Sequence, residues 1–462
     1  MGIDTLEVSP IIKRTTSRCV ICNCECEAVV FRRGEHIYMA RTCPTHGRQQ
    51  YRIGNQEFYW LSHGRPENSC CGTGTTCCSV DGKNTGTLGN NASIATHAIE
   101  KLSTCTALID IVDSCNLPCP TCYAGSPLGT GPDLKYTPYD EIVSRVQGVI
   151  DRKGKIELLQ LSGGEPTLHP DFCKIVEWAF ENPGIDHLLV NTNGVRIATD
   201  AEFVEKLRGV FRPKKMRLYL QYDGPQEAGQ KTLRGADLRG IRIQAIEKCG
   251  DIGLSLHLAM TVNRENLPHL FDALLFGTKY PQVLGISYQP MFLSGRSGGT
   301  IAEEPITSGD IVLGLIDQSR SLLIADDFTP LPCGDPNCQI VSGLARIEGK
   351  LIPVVRLIDR ANIHAALRNK IDFDIEALKT CGCEGQPLAE FLTNVVLRPS
   401  HGFFIFIKPF MDARTWDQDR IDRCCTHVIR PDGKLDSFCR YYSGFSHATT
   451  KREPGMALPI LH

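Results

Sequence analysis

The chain has 462 residues, of which 42% are hydrophobic and 22% are charged, and its formal net charge is -2. This composition is ordinary for a globular protein, and the length predicts two or three domains. We expect no nucleic-acid partner, because the sequence has no basic block and no basic face interleaved with aromatic residues. It also lacks a signal-peptide core and any apolar stretch of about 18 residues, so we expect a cytoplasmic protein without a transmembrane span.

Cysteine is the unusual component, with 22 residues in the chain. A chain of this length needs no disulfide bonds to complete its core, and in a reducing compartment clustered cysteines are metal ligands or catalytic groups. Cys173 and Cys249 stand alone in helix-like stretches and are interpreted as buried thiols. The main clusters lie at 19–43, 70–78, 115–122, 333–338, 381–383 and 424–439.

Three regions follow one another along the chain, at 1–95, 104–300 and 301–462. The first is rich in Cys, Gly and Thr and predicts a small metal-binding domain. The last begins with a predicted helix, then loses the regular alternation of elements and regains cysteines. It therefore predicts a second small metal-binding domain.

The middle region alternates strand and helix signals, which is typical of parallel βαβ units in an α/β fold. Apolar strands are predicted at 106–113, 156–163, 187–194, 216–224, 254–262 and 284–291. Because such crossovers are right-handed, we expect a partial (β/α)6 TIM-like barrel with its active site at the carboxyl ends of the strands. A doubly wound open sheet is the competing topology.

Three cysteines come directly after the first predicted strand, in the segment DSCNLPCPTCYAG. Cys115, Cys119 and Cys122 have the spacing CxxxCxxC, and they follow a strand end where a barrel enzyme keeps its active site. Three thiolates can hold three irons of a [4Fe-4S] cluster, whose usual complement is four cysteines, and leave the fourth iron open for a substrate. A zinc site is the alternative, although tetrahedral zinc needs a fourth protein ligand nearby.

This motif resembles the signature of the radical S-adenosylmethionine (SAM) superfamily, and the resemblance covers about residues 104–300. It implies an enzyme with a [4Fe-4S] cluster whose catalytic ligands are Cys115, Cys119 and Cys122. It further implies that an external flavodoxin- or ferredoxin-type donor supplies one electron and that SAM is cleaved to methionine and a 5′-deoxyadenosyl radical. The radical then removes hydrogen from a carbon of the second substrate.

The resemblance also implies contacts to SAM at the later strand ends. The segment GGEP would bind the methionine amino group, since glycines permit close approach and a carboxylate can orient an ammonium. Polar residues after the next strands are candidates for the ribose, the carboxylate and the adenosine, with plain turns or a solvated arginine as alternatives. The candidates are Gly163, Gly164, Glu165, Pro166, Asn191, Asn193, Gln221, Asp223, Arg234 and Gln289.

The N-terminal cysteines predict a zinc-ribbon or rubredoxin-like site for mononuclear zinc or iron. Cys19 and Cys22 form one pair of ligands, and Cys43 and His46 form the second pair. Extra cysteines leave this assignment open. The cysteines of the segment SCCGTGTTCC have three alternative roles: completing this site, binding another cluster or binding a substrate. The extra cysteines are Cys24, Cys26, Cys70, Cys71, Cys77 and Cys78.

The C-terminal cysteines predict an auxiliary [4Fe-4S] cluster. Its expected ligands are Cys333, Cys338, Cys425 and Cys439, with Cys424 as the alternative to its neighbour. Cys381 and Cys383, in a CGC segment, belong to the same cluster or to another one. Unligated reduced thiols are the simpler alternative.

The order of a Cys-rich domain, a CxxxCxxC barrel and a Cys-rich C-terminal region resembles one branch of the superfamily. That branch includes the tetraether lipid synthase and the methanopterin-precursor radical methyltransferase. It implies carbon–carbon bond formation, or transfer of a methyl or alkyl group, on a small-molecule or lipid substrate. Two alternatives are transfer of a SAM-derived group to a thiophilic acceptor such as trivalent arsenic, and a non-enzymatic iron–sulfur electron-transfer module.

Overall fold

The computed structural model describes most of the chain, with gaps in the second cysteine cluster and in the C-terminal region. Several predicted metal ligands lie outside the described residues: Cys70, Cys71, Cys77, Cys78, Cys333, Cys381 and Cys383. The described residues are 10–59, 104–296, 304–331, 334–347, 349–356 and 402–443.

The N-terminal region is a four-stranded antiparallel sheet with its strands in chain order. The strands are β1 (Ile11–Arg18), β2 (Glu25–Arg33), β3 (His36–Cys43) and β4 (Gly47–Asn55). Tight turns join them, and Gly34 and Gly47 have positive φ angles that favour glycine. Alternate residues such as Val30, Ile37 and Met39 point to one buried face, as expected for period-2 strands.

The middle region forms parallel strands connected by helices, as the sequence predicts. Its strands are β5 (Thr106–Val112), β6 (Ile156–Gly163), β7 (Ile185–Thr192), β8 (Met216–Gln221), β9 (Leu256–Val262) and β10 (Val283–Pro290). Its helices are α1 (Tyr139–Lys153), α2 (Phe172–Glu181), α3 (Val195–Thr199), α4 (Ala201–Val210), α5 (Gln230–Arg234), α6 (Arg239–Ile252) and α7 (Leu270–Thr278).

The C-terminal region extends this sheet at both edges. Its elements are α8 (Ser308–Gln318), β11 (Thr329–Pro330), β12 (Ile340–Ile347), β13 (Lys350–Pro353), β14 (Gly402–Ile407), α9 (Gln418–Asp422), β15 (Thr426–Ile429), β16 (Leu435–Ser437) and α10 (Phe438–Tyr442). Strand β14 pairs in parallel with β10, and β15 pairs in parallel with β5. The parallel order is therefore β15-β5-β6-β7-β8-β9-β10-β14, two strands more than predicted. Within the described residues no strand pairing joins the two edges.

The two faces of the parallel sheet differ in polarity. On β6, Leu159 and Leu161 are fully buried against the helices, where they join a core that includes Val149 of α1 and Ile175 of α2. Each such side chain contributes about 1.5–3 kcal/mol through burial. Gln160 lies on the opposite face of the same strand and is only partly buried. The inner face of the sheet is therefore polar and accessible, and it positions the site described below.

The N-terminal sheet contacts the C-terminal region directly. Ser17 Oγ donates a 2.6 Å hydrogen bond to the carbonyl of Trp416, and Thr15 Oγ1 donates at 2.8 Å to Asp417. Arg52 of β4 forms two hydrogen bonds of 2.7 and 2.9 Å with Asp310 of α8. The two regions are thus held together by side chains that are half-buried or buried. No helix among the described residues is both long and apolar enough to cross a membrane.

Candidate active site and metal centres

The three-cysteine loop follows β5 at its carboxyl end and is held by backbone hydrogen bonds. The amide of Cys115 donates to the carbonyl of Pro127 at 2.8 Å, and the carbonyl of Cys115 accepts from Gly129 at 3.0 Å. The carbonyl of Cys122 accepts from the amides of Gly125 and Arg296, both at 2.9 Å. These backbone hydrogen bonds therefore give the loop a defined shape around its three thiols.

Arg296 also fixes the loop through its side chain. Its guanidinium donates to the carbonyl of Ser126 at 2.7 Å and to that of Cys119 at 3.2 Å. On the other side, Thr121 Oγ1 donates to the carbonyl of Leu233 at 3.0 Å. Sequence motifs did not point to Arg296 or Thr121, because their partners are backbone carbonyls rather than recognisable side chains.

The thiols of this loop lie in a low-dielectric environment. Burial raises the pKa of Cys115 to about 12, and the nearby Glu165 adds to the shift. Burial also raises the pKa of Cys119, while Arg234 opposes that shift. A metal or cluster binds thiolates, so its binding here must displace protons.

The spacing of these thiols fits a cluster better than a single ion. A tetrahedral ion with metal–sulfur distances of about 2.3 Å brings its sulfurs to about 3.8 Å from one another. Among the described residues only an N-terminal group brings three or more ligand atoms within 4.8 Å, and Cys115, Cys119 and Cys122 are not in it. Wider spacing is expected when each thiolate binds a separate iron of a [4Fe-4S] cluster.

Gly163 and Gly164 form the close contact between β6 and the cysteine loop. Gly163 has φ +118°, and a Cβ there would lie 2.1 Å from the carbonyl oxygen of Val112. A Cβ on Gly164 would lie 2.0 Å from the carbonyl oxygen of Ser114. Any side chain at either position would push the cysteine loop away, so both glycines are required by packing. Both residues also line the cleft beside the cysteines.

Glu165 braces two strand ends instead of presenting its carboxylate to the cleft. It is 1% exposed and accepts hydrogen bonds from Thr167 Oγ1 at 2.6 Å, Thr192 Oγ1 at 2.8 Å and the amide of Asn193 at 2.7 Å. Glu165 and Pro166 are not among the residues that line the cleft. Donors of the protein contact both oxygens of this buried carboxylate, and the contact of the GGEP segment with the methionine amino group stays a prediction.

Asn191 and Asn193 both line the cleft, and their contacts with SAM stay predictions. Asn191 accepts from Gln160 Nε2 at 2.7 Å and donates to Ser162 Oγ at 2.9 Å, so the polar face of β6 orients it. Asn193 donates to Asn116 Oδ1 at 2.6 Å and lies 3.7 Å from Cys115 Sγ. This places Asn193 beside the first predicted cluster ligand.

Asp223 and Arg234 form a buried ion pair. The guanidinium donates to the carboxylate at 2.6 and 2.8 Å, and it also donates to Thr261 Oγ1 at 2.9 Å. Arg234 lines the cleft, whereas Asp223 lies behind it. Arg234 thus has a carboxylate partner within the protein, and the contacts of Asp223 and Arg234 with SAM stay predictions.

Arg242 is a buried residue that sequence reasoning missed. Burial lowers its pKa to about 10, but its guanidinium donates to the carbonyl of Asn193 and, at 3.0 Å, to Gln221 Oε1. It thereby connects the ends of β7 and β8. Its only signal in the sequence is a charged residue on a helix that otherwise buries Ala245 and Ile246.

The far side of the cleft carries an aromatic wall formed by Tyr123, Phe292, Phe410 and Phe438. The rings of Phe410 and Phe438 are 4.3 Å apart, and those of Phe292 and Phe410 are 5.5 Å apart. The cleft has a volume of about 180 Å³ and reaches Gln289, whose Nε2 donates to Tyr219 Oη at 2.8 Å. The site therefore combines polar strand ends on one side with an apolar aromatic surface on the other.

The N-terminal group is compact enough for one metal ion. The sulfurs of Cys22 and Cys43 are 3.8 Å apart, those of Cys24 and Cys43 are 3.5 Å apart, and Cys19 completes the group. These distances fit the tetrahedral arrangement expected for zinc. His46 Nδ1 lies 3.5 Å from Cys43 Sγ and 3.6 Å from Cys19 Sγ. The structure thus groups Cys24, rather than the predicted His46, with the other three ligands.

The predicted C-terminal ligands that are described approach one another. Burial raises the pKa of Cys439 to about 12, and repulsion from the thiolate form of Cys338 adds to that shift. Burial also raises the pKa of Cys338, and the thiolate form of Cys425 adds to that second shift. Arg420 donates to Cys338 Sγ at 3.5 Å, and the amide of Met411 donates to Cys439 Sγ at 3.4 Å. These donors suit sulfurs that carry negative charge, as cluster ligands do.

Residues 109–276 match the family model described as the radical SAM superfamily. The chain contains a radical SAM domain. Residues 11–53 match the model of the HMPTM N-terminal zinc ribbon domain, which coincides with the compact sulfur group. The prediction of a radical SAM enzyme is therefore confirmed, and the alternative of a non-enzymatic electron-transfer module is wrong.

Comparison with named proteins gives two sequence relatives and one similar solved structure. The chain is 25% identical to 7,8-dihydro-6-hydroxymethylpterin dimethyltransferase of Methanocaldococcus jannaschii, over 93% of each chain. It is 26% identical to mycofactocin maturase MftC of Mycobacterium ulcerans, over 47% of this chain and 57% of the relative. The solved structure of Streptococcus suis SuiB bound to S-adenosylmethionine matches 47% of this radical SAM enzyme and 48% of that chain, with 16% identity and a TM-score of 0.38.

Proposed function

We propose that this radical SAM enzyme transfers a methyl or alkyl group to a carbon of a planar heterocyclic small molecule of the pterin class. The observation that carries the proposal is the cleft in which the three-cysteine loop faces the aromatic wall. Flat rings bind well against aromatic side chains, and such contacts add about 0.5–1.5 kcal/mol beyond burial. The relative from Methanocaldococcus jannaschii, which matches along 93% of both chains, is named for a pterin substrate.

Binding of SAM is assigned to the polar side of the cleft. Cys115, Cys119 and Cys122 would hold a [4Fe-4S] cluster, which supplies the electron that cleaves the carbon–sulfur bond. Gly163 and Gly164 let the backbone approach the methionine part closely, while Asn193 and Gln289 offer amide groups within the same cleft. Arg234, held by Asp223, presents a guanidinium edge on that side.

The flanking regions would carry additional metals. Cys19, Cys22, Cys24 and Cys43 would hold zinc or iron and keep the N-terminal sheet folded. Cys338, Cys425 and Cys439, together with Cys333 outside the described residues, would hold an auxiliary cluster. An external flavodoxin- or ferredoxin-type donor would deliver the electrons.

The test is an anaerobic reaction of the reconstituted enzyme with dithionite, SAM and, in separate reactions, 7,8-dihydro-6-hydroxymethylpterin or its phosphate ester. We expect 5′-deoxyadenosine and methionine from the SAM that is cleaved, S-adenosylhomocysteine from a second SAM that donates each methyl group, and a pterin product that is heavier by one or two methyl groups, all measured by mass spectrometry. The variant Cys115→Ala/Cys119→Ala/Cys122→Ala is the control and should form none of these products. Formation of 5′-methylthioadenosine instead would favour transfer to a thiophilic acceptor, and an unchanged pterin with ample 5′-deoxyadenosine would reject the substrate class.

A further inference from the structure

Lys408 occupies an unusual place at the carboxyl end of β14, the parallel strand that the C-terminal region adds beside β10. Its amide donates to the carbonyl of Tyr288 at 3.0 Å, which continues the parallel pairing by one residue. Phe406 lies two residues earlier, so both side chains point to the same face of the sheet. The ring of Phe406 is 6.0 Å from that of His257 on β9, which places Lys408 on the inner face.

The ammonium of Lys408 contacts rings but no carboxylate. Its Nζ lies 5.5 Å from the centre of the Phe406 ring and 6.0 Å from that of Tyr219. No Asp or Glu among the described residues lies within ion-pair distance of it. Other poorly exposed lysines of this chain do have such partners: Lys13 pairs with Asp417 at 2.5 Å, and Lys153 pairs with Glu157 at 2.6 Å. A half-buried cation without a counterion is costly unless a ligand supplies the negative charge.

The surroundings of Lys408 are basic or polar. Burial lowers the pKa of Lys408 to about 8, and the thiolate form of Cys425 opposes that shift. Burial also lowers the pKa of His257 to about 3, and the positive charges of Arg217 and Lys408 lower it further. His257 is therefore neutral at pH 7. The cationic groups around His257 are therefore Arg217 and Lys408, and both lie on the inner face outside the lining of the cleft.

We propose that Lys408 binds an anionic group, a carboxylate or a phosphate, of the second substrate. This inference rests on the proposed function and refines its substrate class. Tyr219 lines the cleft, and its ring centre lies 6.0 Å from the Lys408 ammonium, which is not itself among the lining residues. An acidic group of a substrate in the cleft would therefore extend past Tyr219 to meet Lys408. Phe410 of the aromatic wall follows Lys408 by two residues, so one strand end supplies the apolar surface and the cation. A planar ring on the wall would thus place an acidic substituent towards Lys408, where a charge-assisted hydrogen bond fixes it.

The experiment measures protection of Lys408 from acylation in anaerobic, cluster-reconstituted enzyme without turnover. N-succinimidyl acetate labels the lysines, and mass spectrometry of the digest gives the rate at each site. The probes are inorganic phosphate and acetate in separate reactions, with sodium chloride at the same ionic strength as the reference. The exposed Lys206 on α4, which pairs with Glu202 at 2.7 Å, is the internal control.

If the proposal holds, the rate at Lys408 falls about threefold once phosphate or acetate reaches twice its Kd, while the rate at Lys206 is unchanged. Protection by phosphate alone assigns a phosphoryl group, and protection by acetate alone assigns a carboxylate. Equilibrium dialysis should show that Lys408→Arg retains binding of the protecting anion and that Lys408→Met loses it.

Equal labelling with and without both anions would overturn the proposal and leave Lys408 as the counter-charge of the C-terminal thiols. Because the labelling needs no SAM cleavage, its result is independent of the reaction that tests the proposed function. A misfolded Lys408→Met variant would not obscure the answer either, since the protection is measured on the unaltered enzyme.

Discussion

The carboxylate of Asp223 holds the guanidinium of Arg234 through two hydrogen bonds of 2.6 and 2.8 Å, directly behind the cysteine cleft. Asp223 is 1% exposed and Arg234 is 6% exposed, so neither charge has water as an alternative partner. Asp223 also accepts from the amide of Thr261 at 3.0 Å, which ties the ion pair to β9. The pair therefore sets the position of Arg234, which lines the cleft and whose positive charge lies near Cys119.

Replacing Asp223 by Asn should destabilise the protein strongly, because the change leaves a buried guanidinium without its counterion. Breaking a buried pair in this way costs about 3–5 kcal/mol. The measurement is the free energy of unfolding in urea under anaerobic conditions. Asp237→Asn is the matched control, since Asp237 pairs with Arg239 at the surface and its loss should change stability little. Equal effects of the two substitutions would show that the pair behind the cleft does not hold Arg234.

Gly164→Ala should displace the cysteine loop. The added Cβ would lie 2.0 Å from the carbonyl oxygen of Ser114, so β6 and the loop cannot keep their distance. We expect anaerobic protein that lacks the iron of one cluster and no longer forms 5′-deoxyadenosine. Iron analysis and product analysis by mass spectrometry check this. The control is Gly209→Ala in α4, where nothing lies within 4 Å and the change should stabilise by about 0.4–1 kcal/mol. Full iron content in Gly164→Ala would contradict the packing argument.

The variant Cys338→Ala/Cys439→Ala should lose a portion of the iron that differs from the portion bound by the three-cysteine loop. Both thiols are deeply placed, and cationic or amide donors face them: Arg420 for Cys338 and the amide of Met411 for Cys439. The measurement is iron per chain beside that of the Cys115→Ala/Cys119→Ala/Cys122→Ala variant. The isolated, buried thiol of Cys249 provides the control, because Cys249→Ala should leave the iron unchanged. Iron equal to that of the unaltered protein would reject the auxiliary cluster.

The sequence predicted the parts of the fold that depend on short-range patterns. Strands β5 to β10 appear within two or three residues of the predicted bounds, because apolar runs and amphipathic helices alternate regularly there. It missed that β14 and β15 join the same sheet. Strand β15 has four residues, and both strands pair with partners more than a hundred residues away, so no local period reveals their place.

The candidate site was predictable to a similar degree. The CxxxCxxC spacing and the GGEP segment identified the loop and the strand that contacts it. The sequence could not tell that Glu165 faces Thr167 and Thr192, since a carboxylate can accept equally from an ammonium, a hydroxyl or an amide. Nor did it reveal Arg242 or Lys408, whose roles follow from what the tertiary fold places around them.

Cys24 and His46 should respond differently to substitution, because they stand in different relations to the N-terminal metal site. The sulfur of Cys24 lies 3.3 Å from that of Cys22 and 3.5 Å from that of Cys43, as expected when the three share one ion. His46 Nδ1 instead lies beside Cys19 and Cys43, where it can donate to their thiolates. Groups that support ligands in this way change metal affinity about 10–100-fold when they are removed.

We therefore expect Cys24→Ser to lose the bound zinc or iron and His46→Ala to keep it with lower affinity. The measurement is metal per chain after dialysis, followed by competition with a chelator. Cys26→Ser is the control, because the Cys26 sulfur lies 3.8 Å from that of Cys24 but is outside the group of four. Complete loss of metal in His46→Ala together with retention in Cys24→Ser would restore the ligand set that the sequence predicted. That reversal would mean that the ion lies between Cys19, Cys22, Cys43 and His46, on the side of the N-terminal metal site where His46 approaches the sulfurs of Cys19 and Cys43.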